Sequence, residues 1–162
     1  MRTFLVNFVI AANLLLVDVA TKEAALKSLG GGNSRTVVEG FFDLVLVKNH
    51  GCAWGMLQGQ VGPLAVFAAL ALVGLAWKRR TNFGVATLRG DRRVNAFAAR
   101  AAECMLYAGI AGNLIDRVFR GFVVDMLDFH WGVHHFPCFN VADAYISVAA
   151  AILVLLSFRN AK

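Results

Sequence analysis

The sequence predicts an α-helical integral membrane protein with four transmembrane helices and a small sheet outside the membrane. Of the 162 residues, 59% are hydrophobic and only 16% are charged, whereas a soluble domain is nearer half apolar and a quarter charged. This composition excludes a disordered chain and argues against an ordinary water-soluble enzyme. Because one span takes about 20 residues, a single domain of this length has room for four spans and modest loops.

The first predicted span is the apolar run at 4–21. Arg2 precedes it, so the run has the pattern of a secretory signal peptide. The remainder of a secreted protein should be mostly soluble, whereas this remainder is strongly apolar. We therefore predict an uncleaved first helix that continues through Asp18 towards Lys22.

The other three predicted spans are at 61–77, 97–115 and 139–158. The run at 61–77 contains no charged residue. The run at 97–115 is weaker because it includes Arg100 and Glu103, but its many small residues would let helices approach closely in lipid. The last run carries Asn140 and Asp143 in its first turns.

The basic residues orient the four spans, because cytoplasmic loops carry an excess of Lys and Arg. The loop at 78–96 has six basic residues and one acid, so we expect it in the cytoplasm with both chain termini. The segments at 22–60 and 117–138 then lie outside. The first contains a glycine-rich turn at 30–34, and the Val, Phe and Leu residues of 36–48 favour strands, which predicts a small sheet on the outer membrane surface.

Polar side chains from several separate segments reach the outer ends of the predicted spans. A single Asp or Asn at a helix end is as readily structural as functional, but ionisable groups in a membrane are costly, and convergence of the whole set favours a functional site. The set is Asp18, Asn49, Asn113, Asp116, Arg117, Asp125, Asn140 and Asp143.

The neighbours of these acids suggest different roles. Arg117 follows Asp116, so we expect this pair to be ionised and to act as a clamp or a substrate positioner. Asp125 and Asp143 have apolar neighbours in sequence. If the fold brings them together they would share one proton, so that one carboxyl activates a water and the other protonates the carbonyl or the leaving amine. That is the chemistry of an aspartic protease, although the spacing alone does not bring the two residues together.

Two rival sites are weaker. A histidine-rich segment has metal-ligand residue types at close spacing, but it lacks an HExxH motif and Trp131-Gly132 interrupts any continuous helix, so we favour an interfacial loop over zinc. His50 and Cys52 lack a recognisable third member of a nucleophilic triad. The candidate zinc ligands are Asp128, His130, His134, His135 and Cys138.

Five segments together resemble the bacterial lipoprotein signal peptidase (signal peptidase II) family. They occur in the family's order and are Asp18-Val19-Ala20-Thr21-Lys22, Asn49-His50-Gly51-Cys52-Ala53-Trp54-Gly55, Gly112-Asn113-Leu114-Ile115-Asp116-Arg117, Val123-Val124-Asp125 and Phe139-Asn140-Val141-Ala142-Asp143. The resemblance implies four transmembrane helices with an extracytoplasmic β-cradle and a periplasmic loop. It also implies an aspartic endopeptidase of the bacterial inner membrane, active at the periplasmic side. This enzyme would cleave diacylglyceryl-modified prolipoproteins just before the lipidated cysteine.

By the same resemblance, Asp125 and Asp143 would be the catalytic pair, with no metal or organic cofactor. The residues that would line or brace the site are Asp18, Lys22, Asn49, Gly51, Asn113, Asp116, Arg117 and Asn140. The expected partners are lipid-modified prolipoproteins and membrane lipid, without nucleic acid, and a monomer is expected. Cys52 and Trp54 depart from the family's usual residues but keep the apolar character.

Two other functions compete with this interpretation. A small transporter or channel subunit would use membrane acids as a proton relay, with some acids near the middle of the bilayer. In this sequence the acids of the candidate site all fall near the outer ends of the predicted spans and not at several depths in the bilayer. A non-enzymatic assembly factor would not need two acids without a neighbouring cation.

Overall fold

The computed structural model describes residues 2–52, 55–80 and 92–160. Most of the predicted cytoplasmic loop at 78–96, and Trp54, therefore lie outside the described residues. The elements in chain order are α1 (Arg2–Ser28), β1 (Arg35–Val38), β2 (Phe42–Asn49), α2 (Val61–Arg80), α3 (Arg92–Arg120), β3 (Val123–Trp131), β4 (His134–His135) and α4 (Val141–Asn160).

Two of the helices, α1 and α4, are long and apolar enough to cross a membrane, and α2 contains a shorter apolar stretch. Helix α1 continues to Ser28, six residues beyond the predicted end near Lys22. No Gly or Pro interrupts this stretch before Gly30, and the Leu29 amide still donates to the Ala25 carbonyl. The first outer segment therefore begins as helix. Gly121, with a φ of 74°, ends α3 in the left-handed conformation typical of a helix C-terminus.

Helix α3 is the centre of the helical part, because it packs against α1, α2 and α4. Glycines make the contact with α4 close. A Cβ on Gly109 would lie 2.6 Å from the Ala142 carbonyl oxygen, and a Cβ on Gly112 would collide with the Asp18 carboxylate. The small residues of this run therefore let α1, α3 and α4 meet at one point.

The sheet combines both outer segments, as an antiparallel arrangement in the order β1-β2-β3-β4. Strands β2 and β3 form its centre, with Val47 opposite Asp125. Val124 and Met126 pack against Ala25 and Leu29 at the end of α1. The sheet is thus fixed to the end of the first helix, and Asp125 lies where the sheet meets the helices.

Candidate active site

Asp125 lies on β3 with its side chain 1% exposed, and both of its carboxylate oxygens accept hydrogen bonds. Asn49 Nδ2 donates to Oδ2 at 2.9 Å, and Asn140 Nδ2 donates to Oδ1 at 2.6 Å. Asn49 is in turn oriented by the Gly51 amide, which donates to its Oδ1 at 2.9 Å. Two amide side chains from different segments therefore hold this carboxylate in one orientation.

Asn140 also caps the helix that carries Asp143. Its Oδ1 accepts from the Asp143 amide at 2.9 Å, and Asp143 Oδ2 accepts from the Asn140 amide at 3.3 Å. This reciprocal arrangement is a capping box, built here from Asn and Asp three residues apart. The same Asn140 side chain therefore bonds to Asp125 and sets the start of α4, which brings the two predicted catalytic acids into one network.

A buried lysine supports Asp143 through an intervening asparagine. Asn113 Nδ2 donates to Asp143 Oδ1 at 2.7 Å, and Lys22 Nζ donates to Asn113 Oδ1 at 2.9 Å. Lys22 is 0% exposed and also pairs with Asp18 at 2.9 Å and Asp116 at 3.3 Å. Because a buried cation needs opposite charges around it, these carboxylates fix Lys22, and Lys22 fixes the orientation of Asn113.

Asp18 and Asp116 each hold a second segment in place. Asp18 Oδ1 accepts from the Ala142 amide at 2.8 Å, in the first turn of α4. Asp116 Oδ2 accepts from the Val124 amide at 3.0 Å, one residue before Asp125. The two acids therefore position the elements that carry the candidate pair, which is a structural role.

The expected ion pair between Asp116 and Arg117 is wrong, because consecutive residues on a helix point in different directions. Asp116 pairs instead with Lys22 and with Arg120, which also pairs with Glu23. Arg120 was missed in the sequence, although its position four residues after Asp116 on a helix was the available signal.

Arg117 faces the site rather than Asp116. Its Nη2 donates to the Gly51 carbonyl at 3.1 Å, and its charge interacts with Asp143 and Asp125. A Cβ on Gly51 would collide with the Met56 carbonyl, so only glycine fits in this turn. Arg117 thus links α3 to the loop after β2 and leaves a positive charge beside the two acids.

Both acids open onto a cavity of about 940 Å³ between α2, α3, α4 and the sheet. One wall is apolar, with Leu64, Phe67 and Ala71 from α2 and Ile146 from α4. Asn49, Asn113 and Arg117 are among its polar lining residues. A ligand with an apolar part and a peptide part would find a matching surface for each.

The environment of Asp125 raises the affinity of its carboxylate for a proton. Burial, and then the nearby charge of Asp143, raise the pKa of Asp125 to about 6, against the lowering effect of the Asn49 and Asn140 hydrogen bonds. A carboxyl with a pKa near neutrality can both give and accept a proton under physiological conditions.

Side chains of the two rival sites contact other groups in the described part of the chain. His135 pairs with Asp128 at 3.0 Å and His130 with Asp43 at 3.3 Å, and in the described part of the chain no three metal-binding side chains converge. The His50 ring lies 3.2 Å from the Gly121 carbonyl oxygen through Nδ1 and packs edge-on against Phe122. Burial raises the pKa of the Cys138 thiol to about 12, so this cysteine is not a ready nucleophile.

Comparisons with known proteins agree on one family. The family model described as Signal peptidase (SPase) II matches residues 10–159. A lipoprotein signal peptidase of Syntrophotalea carbinolica is 37% identical over 160 residues, covering 97% of this chain and 93% of the relative. One of Bacillus pumilus is 32% identical over 155 residues, covering 96% and 94%. A bacterial membrane enzyme solved by the in meso method at 2.3 Å resolution superposes with a TM-score of 0.80 and 26% identity, covering 97% and 90% of the two chains.

Proposed function

Because the chain belongs to the signal peptidase II family, we propose that it cleaves its substrates by an aspartic mechanism in which Asp125 and Asp143 are the catalytic pair. Family membership makes the chain a membrane protease that removes signal peptides from prolipoproteins. The observation that carries the aspartic mechanism is the bond from Asn140 to Asp125 at 2.6 Å, made by the residue that caps the helix of Asp143.

The two carboxyls divide the chemistry of hydrolysis. With one proton shared between them, the ionised carboxylate removes a proton from a water while the protonated carboxyl donates to the carbonyl oxygen of the scissile bond. The tetrahedral intermediate then collapses as a carboxyl returns a proton to the leaving amine. The raised pKa of Asp125 favours one retained proton, whereas the positive charge of Arg117 favours one ionised carboxylate. Together they support a pair that shares a single proton.

The surrounding residues position this pair. Asn49, Asn113 and Asn140 orient the carboxylates, while Asp18, Lys22 and Asp116 fix the elements that carry them. Arg117 and Gly51 shape the mouth of the cavity. We expect neither a metal nor a cysteine thiol to take part, and the raised pKa of the Cys138 thiol agrees with this expectation for that residue.

The apolar wall of the cavity suits a diacylglyceryl group. Its alkyl chains would enter between α2 and α4, while the polar wall receives the peptide. Binding energy from the lipid would then orient the scissile bond just before the modified cysteine. The enzyme would be a monomer of the bacterial inner membrane with four spans, cytoplasmic termini and a site at the outer leaflet.

In vitro cleavage of a lipid-modified precursor tests the proposal. The purified wild-type protein should release the signal peptide, with or without chelator, whereas Asp143→Asn should not. A triple variant, Cys52→Ala/Cys104→Ala/Cys138→Ala, should remain active. Equal turnover of lipidated and unmodified precursors would contradict the role of the lipid, and loss of activity on chelation with recovery in zinc would contradict the aspartic mechanism.

A further inference from the structure

The outer half of the sheet has two chemically different faces. Side chains alternate along a strand, so β3 presents one set beside Asp125 and another on the opposite face. The set beside Asp125 is Leu127, Phe129 and Trp131, and the opposite set is Val124, Met126, Asp128 and His130.

The face beside Asp125 is aromatic. Phe129 stacks on Phe42 with ring centroids 4.5 Å apart and on Phe139 at 5.8 Å. Phe136 adds an edge contact to Phe139. Since Phe139 immediately precedes the capping residue of α4, this face looks towards the outer end of a helix that is long and apolar enough to span the membrane.

The opposite face carries carboxylate side chains in contact with histidines. His130 Nε2 lies 3.3 Å from Asp43 Oδ2, and His135 Nδ1 lies 3.0 Å from Asp128 Oδ2. The two imidazole rings stack with centroids 5.0 Å apart. The outer end of the sheet is therefore amphipathic, with an aromatic face beside Asp125 and, on the opposite side, an ionic face of carboxylates and histidines.

The aromatic face ends in a hairpin whose apolar side chains are exposed. Gly132, with a φ of 57°, and Val133 join β3 to β4. Trp131 is 79% exposed, Val133 87% and Phe136 52%. These three residues form the apolar tip. Such a tip would be unfavourable in water, whereas an indole ring is well suited to the boundary between lipid and water.

We propose that the apolar tip inserts into the lipid–water interface of the outer leaflet and anchors the sheet there. The ionic face then points to water. Trp131 is on the same strand and the same face as Asp125, six residues or about 20 Å further along, so an anchored tip sets the height of the catalytic strand above the membrane. The contact with lipid does not depend on which carboxyls perform catalysis.

Fluorescence of Trp131 tests the anchor directly. The variant Trp54→Phe/Trp77→Phe leaves Trp131 as the single tryptophan. In phosphatidylcholine vesicles its emission should be blue-shifted, quenched by phosphatidylcholine brominated on the acyl chains and protected from iodide. Emission typical of indole in water, with quenching by iodide and none by the brominated lipid, would overturn the proposal.

A kinetic test uses a matched control on the ionic face. Trp131→Gln/Val133→Gln should lower cleavage of a lipidated precursor severalfold in vesicles. Cleavage in detergent should be unchanged, because there is no bilayer surface from which the anchor would have to hold the catalytic strand at a set distance. Thr36→Gln introduces the same side chain at an exposed position opposite Asp43 and should have no effect in either medium. Unchanged cleavage in vesicles, or an equal loss in vesicles and detergent, would contradict the anchor.

Discussion

Asn140 donates a hydrogen bond of 2.6 Å to Asp125, and its other side-chain atom caps the helix of Asp143. One amide therefore couples the position of a strand to the start of a helix. Because the side-chain oxygen of Asn140, Oδ1, accepts from the Asp143 amide, the side-chain nitrogen Nδ2 is fixed as the donor towards Asp125. The pair of acids is thus oriented before any substrate arrives.

Replacing either acid should stop turnover. Asp125→Asn and Asp143→Asn keep the size of the side chain but cannot exchange the proton, so we expect cleavage to fall by roughly 10²–10⁴-fold or more. Substrate binding should be retained, so the loss should appear in kcat rather than KM. Asp128→Asn, on the same strand but the opposite face, is the control and should retain activity. Wild-type turnover by Asp125→Asn would contradict the assignment.

The pH dependence of stability should reveal the environment of Asp125. Its pKa is raised from 3.8 to about 6, so the folded state binds the proton more tightly than the unfolded state does. The stabilisation of the folded state by this proton is fully present below pH 3.8 and is lost as pH rises to about 6. The two pKa values together correspond to a change of roughly 3 kcal/mol in the free energy of unfolding. Thermal unfolding in detergent should show the wild-type Tm decreasing relative to that of Asp125→Asn over this window. A constant difference would show that the pKa is not raised.

Removing the buried lysine should destabilise the fold. Lys22→Met keeps the length of the side chain but leaves Asp18 and Asp116 without their shared cation, at a cost of about 3–5 kcal/mol. The yield of folded protein and the Tm should both fall, together with activity. Lys27→Met, on an exposed position in the last turn of the same helix, should change little. Equal effects of the two variants would contradict the structural role of Lys22.

Gly112 should not tolerate a methyl group. In Gly112→Ala the new Cβ would collide with the Asp18 carboxylate, and we expect a loss of about 1–3 kcal/mol of unfolding free energy. Gly74→Ala on α2 is the control, because nothing lies within 4 Å of its Cβ position. There the change should be neutral or stabilising by about 0.5–1 kcal/mol. Thermal unfolding of both variants measures the difference, and a Gly112→Ala protein as stable as Gly74→Ala would refute the close approach.

Reporter fusions should establish the topology. Fusions after Arg80 should report a cytoplasmic location, and fusions within 30–35 or after Gly132 an external one. These expectations follow from the basic loop and the positive-inside rule. An external signal after Arg80 would place the cavity on the cytoplasmic side and overturn the assignment of the site.

Local chemistry could be predicted from the sequence, whereas contacts between distant segments could not. Polar groups between apolar runs are costly. This cost singled out Asp125, Asp143 and their amide neighbours as site residues at the outer ends of the predicted spans. The spacing of Asn140 and Asp143 also contained the capping box, although its contact with Asp125 depends on the sheet. Asp116 pairs with Lys22 on α1 and Arg120 on α3. The ion pair with Arg117, predicted because the two residues are adjacent in sequence, was wrong.

The sheet shows the same limit. Val, Phe and Leu residues at 36–48 predicted strands there, but the strand that carries Asp125 was not predicted. Its pairing with β2 joins segments about 80 residues apart, with Asn49 opposite Val123. Only the folded chain brings such segments into register, since strand patterns fix local conformation and not the partner.

The ion pairs within α1 and α3 bear on how the protein is inserted during synthesis. Asp18 and Lys22 lie one turn apart on α1, and Asp116 and Arg120 lie one turn apart on α3. If α3 spans the membrane as we propose, each helix carries its own counterion and would enter lipid alone, before its neighbour has been made, more cheaply than with a lone charge. The contact between Lys22 and Asp116 is completed only when the two helices associate. Asp143 has no cation within a turn of its own helix, so α4 depends on partners from α1 and α3, which both precede it in the chain.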